Sequence, residues 1–404
     1  MTQNTSKLRF KVLLPVLLTI YLDIAAFGIL IPLVGLYGIH YQASALELTL
    51  LGGIYSLTQF VFAPIWGALS DRVGRRPILL VTLTGSIISF SLFGLAGSVT
   101  VLFLSRACGG IFAGNISVAQ AFVADVSDDI TRAQGMGLVG AAIGLGFVTG
   151  PPLGGIAVAS YGLHAPGLIA AGLALFNLML AIKLLPESKR ERSKQPFSLA
   201  NLAPINREAF ASIQGRPFLL FLMMVMFTST FAFSHMEHGF ALLLQHKFSL
   251  STTDAGFHTG MMLMCIGILG VIIQGGLIRR MVNRFGEAPL LWFGLAVTAI
   301  GMFAFPLGPS LSSMYVLGLL FAIGSGFSNP TIYSLISDSA DSDQQGLTMG
   351  LTQSVGSLAR ALGPFSGLYA FTVLPILPFM IGGALYLLIT AWGIPRLLRQ
   401  PQQM

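Results

Sequence analysis

The sequence predicts an all-α polytopic membrane protein with twelve transmembrane helices in two pseudo-symmetric six-helix bundles. Three observations carry this expectation. Of 404 residues, 54% are hydrophobic and only 9% charged, with a mean hydropathy of +0.80, whereas soluble domains carry about a quarter charged residues. Apolar runs recur along the chain, each near the roughly 20 residues that a bilayer-crossing helix needs. Two long segments, one in each half, also repeat one another at an offset of 213 residues.

The predicted spans, in order, are 12–36, 46–66, 78–97, 99–121, 135–159, 165–186, 217–245, 254–279, 289–306, 311–335, 346–371 and 374–395. Lys7, Arg9 and Lys11 precede the first run, as in a secretion signal. That run continues to about residue 36 with no small-residue cleavage site, so it reads as a span. Of the 22 Lys and Arg, 19 then fall on one side, with Lys247 on the other and Arg106 and Arg360 inside spans. The positive-inside rule places that side, with both termini and the polar 187–216 segment, in the cytoplasm. The segment 187–216, with Pro196 and Pro204, divides the chain into bundles at 1–186 and 217–404.

The net charge of +7 therefore belongs to membrane-flanking loops and not to a nucleic-acid surface. Cys108 and Cys265 lie in spans of different halves and read as small apolar residues, with neither a disulfide nor a metal site implied. There is no Walker loop, nucleophile elbow or zinc spacing, and no soluble segment long enough to form a domain. Enzymatic and nucleotide-driven functions are excluded on these grounds, and no cofactor is expected.

The repeat begins at Phe122 in the first half and at Leu335 in the second. Asp125 matches Asp338, and Gly150-Pro151 matches Gly363-Pro364. Repeated bundles of this kind place a binding site between them near mid-membrane, with rocking to give alternating access.

Charges inside spans cost at least about 2.5–3.5 kcal/mol each, so each needs a partner, water or a task. Asp23 lies near the middle of the first span and Arg106 in the fourth. One reading makes Asp23 the coupling proton site, with the distance of Arg106 setting how readily it holds the proton. The other is a static ion pair, or an aspartate bonded to backbone where Gly28 and Pro32 loosen the helix. On an unbroken helix Arg106 shares a face with Gly110, Ala113 and Ser117, and Arg360 shares one with Gln353, Gly356, Gly363 and Gly367. Arg360 reads equally as a cavity charge or as a packing residue. In SHMEHGF, His235 and His238 share a face and Glu237 points away from His235. They read as groups that titrate or meet substrate, or as polar lining near the outer mouth, and no metal set is implied. Asn115 and Gln120, with Gln59, Asn177, Gln274 and Asn329, are polar candidates that interhelical bonding explains as well.

Several motifs resemble those of the major facilitator superfamily, over nearly the whole chain. GALSDRVGRRP, with Gly67, Asp71, Arg72, Gly74, Arg75 and Arg76, resembles the family's loop signature between the second and third spans. GLGFVTGPPLGG, with Gly144, Gly146, Gly150, Pro151, Gly154 and Gly155, resembles the antiporter signature of drug–proton exchangers. SRACGG resembles the fourth-span arginine motif, and LDIAAFGILIP the first-span motif of the twelve-span drug-efflux branch. Within that branch the first half is most similar to tetracycline–proton antiporters. Those exporters carry acids in the third and ninth spans, where this chain has Ser89 and no acid in 289–306, which argues against tetracycline itself as cargo.

The resemblance implies a proton-coupled exporter of a small amphipathic organic molecule, in the plasma membrane (a bacterial inner membrane by resemblance) and working as a monomer. A proton-coupled importer on the same fold is the alternative. Substrate, protons and lipid are the expected partners. It also implies a cytoplasmic gate, with Asp71 facing the start of the eleventh span and Asp125 holding Arg75 or Arg72. Orientation alone explains the three arginines but not Asp71, because acids contribute little to it.

Overall fold

The computed structural model describes residues 3–126, 129–188, 216–339 and 345–397, and every regular element among them is helical. Helix α1, Gln3–Leu30, passes through a 3-10 turn at Ile31–Leu33 into α2, Val34–His40. Pro32 sits in that turn, where its missing N–H breaks the α-helical ladder. Then come α3 (Ala45–Val73), α4 (Arg75–Gly94), α5 (Val99–Ile111), α6 (Asn115–Val126), α7 (Asp129–Tyr161) and α8 (Ala165–Leu184). After the linker lie α9 (Pro217–Phe248) and α10 (Thr252–Ile272), a π-helical turn (Ile273–Leu277), and α11 (Ile278–Phe285). The chain continues with α12 (Glu287–Ala304), α13 (Leu311–Asp338), α14 (Gln345–Val373) and α15 (Leu377–Leu397). Among the described residues, ten helical stretches are long and apolar enough to cross a bilayer, from Val12–His40 to Leu311–Ile336.

Local chemistry sets several ends. Ser44 and Glu47 form a capping box at the start of α3: the Ser44 N–H and hydroxyl both donate to the Glu47 carboxylate, at 2.9 and 2.8 Å. Gly74 alone joins α3 to α4, with φ of 121°, a conformation that side chains other than glycine's disfavour. The span expected to be continuous at 99–121 is instead two helices, α5 and α6, with a turn at residues 112–114. Arg106 therefore does not share one helical face with Ala113 and Ser117. The Trp66 indole donates to Ile111 O at 2.6 Å and the Gln59 amide to Ala113 O at 3.4 Å. These bonds satisfy carbonyls that the break releases, which the apolar bilayer would otherwise penalise.

The chain packs as two compact units. The first comprises Met1–Ala43, Ile54–Pro204 and Thr252–Gly260, and the second Ser44–Gly53, Ile205–Ser251 and Met261–Met404. The first unit's core joins α1, α4, α6 and α7 through Val16, Ile20, Leu79, Leu83, Phe122 and Val139. The Asn177 amide of α8 donates to Thr19 O of α1 at 2.9 Å. Glycines let α7 meet α1 closely. A Cβ on Gly146 would lie 2.6 Å from Ile24, and one on Gly150 2.5 Å from Ala25 O and 2.8 Å from Gly28 Cα. In the second unit, Gly294 and Gly324 bring α12 and α13 together in the same way. Phe240, Phe305, Phe321 and Phe379 form an aromatic cluster there, with Phe240 and Phe305 stacked at 4.4 Å.

Candidate functional site

The break between α5 and α6 positions the first unit's buried polar groups. It starts α6 at Asn115, whose amide donates to Asp23 Oδ1 of α1 at 2.9 Å and lies 3.4 Å from Ser86 Oγ of α4. Three helices thus meet at the Asn115 amide. Phe27, one turn beyond Asp23, stacks on Tyr55 of α3 at 4.7 Å. The buried Arg106 guanidinium lies 4.5 Å from the Tyr55 ring centroid and 5.7 Å from that of Phe27. The arginine therefore lies against two aromatic rings, one of them a helical turn from Asp23, which are favourable faces for a cation.

Backbone packing fixes this arrangement. Ser89 and Ser105 each donate to the other's carbonyl at 2.9 Å, pinning α4 to α5 beside Arg106. Ser89, at the place where tetracycline exporters were expected to carry an acid, is thus a buried interhelical bond. A Cβ on Gly110 would overlap Thr58 Oγ1 and Tyr55 O, so glycine is what allows α5 to reach α3. The α7 motif does the same for Asp23: Gly146, Gly150 and Gly154 face α1 over Ile24, Ala25 and Ile29. Pro151 Cδ would lie 3.2 Å from a Cβ on Gly28, and Gly155 faces Gly256 and Phe257. Gly144 faces open space.

A second polar network lies where α3 turns into α4. Arg75 is buried and its guanidinium divides between three side chains. Nε meets Asp125 Oδ2 at 2.9 Å, one terminal nitrogen meets Asp71 Oδ1 at 2.8 Å, and the other donates to Ser70 Oγ at 2.6 Å. Of the two arginines expected to hold Asp125, Arg75 meets it. Glu187, just past α8, was not singled out from the sequence. Its carboxylate accepts the N–H groups of Arg75 and Arg76 at 2.9 and 3.3 Å. It therefore caps an α4 N-terminus whose own cap residue, Gly74, has no side chain. Ser188 Oγ donates to Asp125 at 3.1 Å, and Arg76 donates to Ile182 O at 2.7 Å. No periodicity marks Glu187; the only sequence signal was an acid directly after an apolar run. Gly67 meets nothing within 4 Å at its Cβ position.

In the second unit, His235 of α9 is buried, with Nδ1 2.9 Å from Phe231 O. A carbonyl only accepts, so the proton is on Nδ1, and Nε2 meets the Ser366 hydroxyl of α14 at 3.1 Å. Glycines of α14 line this contact, Gly363 against Ser234 and Gly367 against His235. Glu237 is half-buried, and the side chains of His238 and Gln353 lie outside those described. Arg360 is exposed and lies along its own helix, 3.8 Å from where a Gly356 Cβ would be. Gln120 is half-buried on α6.

Residues 13–364 match the sequence profile of the Major Facilitator Superfamily. The chain belongs to the major facilitator superfamily. The class C tetracycline resistance protein of Escherichia coli is 32% identical over 93% of this chain and 94% of its own length. Multidrug resistance protein 2 of Bacillus subtilis (strain 168) is 27% identical over 97% and 95%. The crystal structure of the human organic anion transporter MFSD10 superposes with a TM-score of 0.70 at 28% identity, over 95% of this chain and 99% of that one. As a major facilitator transporter the protein is embedded in a membrane and moves a small molecule.

Proposed function

We propose that the protein is a proton-coupled secondary exporter of a small amphipathic organic molecule, working by alternating access between two six-helix bundles of twelve spans. The observation that carries the reading is the Asp23 carboxylate, held by Asn115 at 2.9 Å beside an arginine–aromatic stack within a spanning helix. A carboxylate there is costly unless it does work, and a proton acceptor near mid-span is work of the required kind. The glycine and proline packing of α7 against α1 supports a rigid support for that acceptor. The relatives named for tetracycline and multidrug resistance support export, and the organic anion transporter supports an amphipathic cargo. In this reading both termini are cytoplasmic and the chain works as a monomer. Asp71, Arg75 and Asp125 then form the cytoplasmic gate.

The test uses inverted vesicles under an imposed proton gradient, with a panel of fluorescent amphipathic compounds. Gradient-driven uptake of at least one is expected, with collapse by an uncoupler. The Asp23→Asn variant is expected to lose that uptake while keeping substrate–substrate exchange. Uptake only in right-side-out vesicles indicates the importer, and an Asp23→Asn variant with full proton-driven transport overturns the assignment of the proton site.

A further inference from the structure

The connection between the spans Thr252–Ile272 and Glu287–Leu307 carries a short amphipathic helix, α11, that the proposed transport cycle does not use. Its apolar residues Ile278, Met281 and Val282 pack on Ile273, Leu290 and Phe327. Its other face presents Arg279, Arg280 and Arg284, all exposed. Phe285 is 51% exposed beside them, with Arg284 5.3 Å from its ring centroid. Among the described residues, neither Arg279 nor Arg280 has an ion-pair or hydrogen-bond partner. Because α11 lies between the ends of two spans, this face sits where a bilayer meets water. Exposed aromatic and cationic side chains together suit that boundary.

Against α11 lies a cavity of about 210 Å³, lined by Arg279 and Asn283 of α11, Glu287 at the start of α12, and Thr331 and Ser334 of α13. It is smaller than the roughly 300–1,000 Å³ of sites for drug-sized ligands, so its size suits a polar headgroup better than a bulky amphipathic cargo. Its walls carry both signs of charge. Glu287 Oε1 accepts the Ser334 hydroxyl at 2.7 Å, which fixes the carboxylate against the wall and leaves its second oxygen for another donor. Basic pockets between spanning helices bind lipid headgroups through phosphate, but a purely anionic headgroup would leave this carboxylate facing like charge.

We propose that the cavity seats the headgroup of an aminophospholipid, with its phosphate on Arg279 and Asn283 and its ammonium on Glu287. A primary ammonium supplies N–H donors to the carboxylate, a choline group supplies none, and a glycerol headgroup supplies no positive charge. The site thus discriminates among phospholipids by headgroup alone.

The test places the full chain in nanodiscs holding equal dioleoyl ethanolamine, choline and glycerol phospholipids, and reads retained lipid by native mass spectrometry. The ethanolamine lipid is expected to be retained preferentially. The Glu287→Gln variant removes one charge-assisted hydrogen bond and lowers the apparent ethanolamine-lipid affinity about tenfold, with the choline lipid unchanged. Arg279→Gln weakens retention of all three lipids. Arg284→Gln, outside the cavity lining, keeps the preference. Equal retention of the glycerol lipid by the unmodified protein overturns the proposal. So does an Arg284→Gln variant that erases the preference as fully as Glu287→Gln, because the charge of the helix would then act without the cavity.

Discussion

Arg75 carries two acids, and the geometry says that they are not equal partners. Asp125 is met at 2.9 Å by Nε and at 3.5 Å by a terminal nitrogen, and the two side chains are 7% and 25% exposed. Arg75 meets Asp71 through one nitrogen, at 2.8 Å, one helical turn away, and the Asp71 side chain is 44% exposed. Unit charges about 4 Å apart attract by about 4 kcal/mol at an effective dielectric of 20, before desolvation is subtracted. Exposed pairs retain about 0.2–1 kcal/mol of this, whereas breaking a buried pair costs about 3–5 kcal/mol. The Arg75–Asp125 pair lies between these limits, so its coupling is expected near 2 kcal/mol, while Arg75–Asp71 is expected near 0.5 kcal/mol. Two double-mutant cycles measure both, with Arg75→Gln combined in turn with Asp125→Asn and Asp71→Asn, and unfolding followed by SDS titration in mixed micelles. Additivity within about 0.5 kcal/mol for the Asp125 cycle refutes the argument, as does a larger coupling to Asp71. The contrast also bears on the gate. If Asp71 contributes little to fold stability, a loss of transport in Asp71→Asn with intact insertion and substrate binding reports on the cycle and not on folding.

Gly67→Ala offers a related separation: with nothing near the added Cβ it is expected to leave stability unchanged or raise it by about 0.5–1 kcal/mol. A fall in transport rate would then mark a contact made in another state of the cycle, and a fall in melting temperature would show the site to be occupied after all. Gly110→Ala forces its methyl onto Thr58 and Tyr55 and is expected to cost about 1–3 kcal/mol, read as a lower SDS midpoint that Gly144→Ala, with open space at its Cβ, does not share. Glu187→Ala removes the acceptor for two backbone N–H groups at the start of α4. At about 1 kcal/mol for a lost cap, amide exchange at Arg75 and Arg76 should quicken about fivefold; equal quickening throughout α8 would refute a local cap.

Hydropathy, charge sorting and motif spacing made the membrane class, the family resemblance and the polar candidates legible, because each depends on residue type along one strip of chain. A carboxylate at Asp23 and an arginine at Arg106 stand out against apolar neighbours wherever the helices go. The sequence, through its family resemblance, offered Arg72 and Arg75 as alternative partners of Asp125. What it left open depended on distances between residues far apart in the chain. The turn at residues 112–114 has no strong local signal beyond Gly114. Its carbonyls are satisfied by Gln59 and Trp66 from another helix, so only packing makes the break affordable in a membrane. That break puts Asn115 on Asp23. Tyr55, one aromatic residue among many in the sequence, becomes a platform for Arg106 because Gly110 brings two backbones together. Glu187 becomes a helix cap because Gly74, with no side chain and a left-handed φ, leaves room for a carboxylate that lies 111 residues beyond Arg76. Residue chemistry alone determined that charges sit in this membrane protein and roughly where. Which charges meet was decided by tertiary structure, since hydrogen bonds and ion pairs act over a few ångströms and one-dimensional spacing does not measure ångströms between helices.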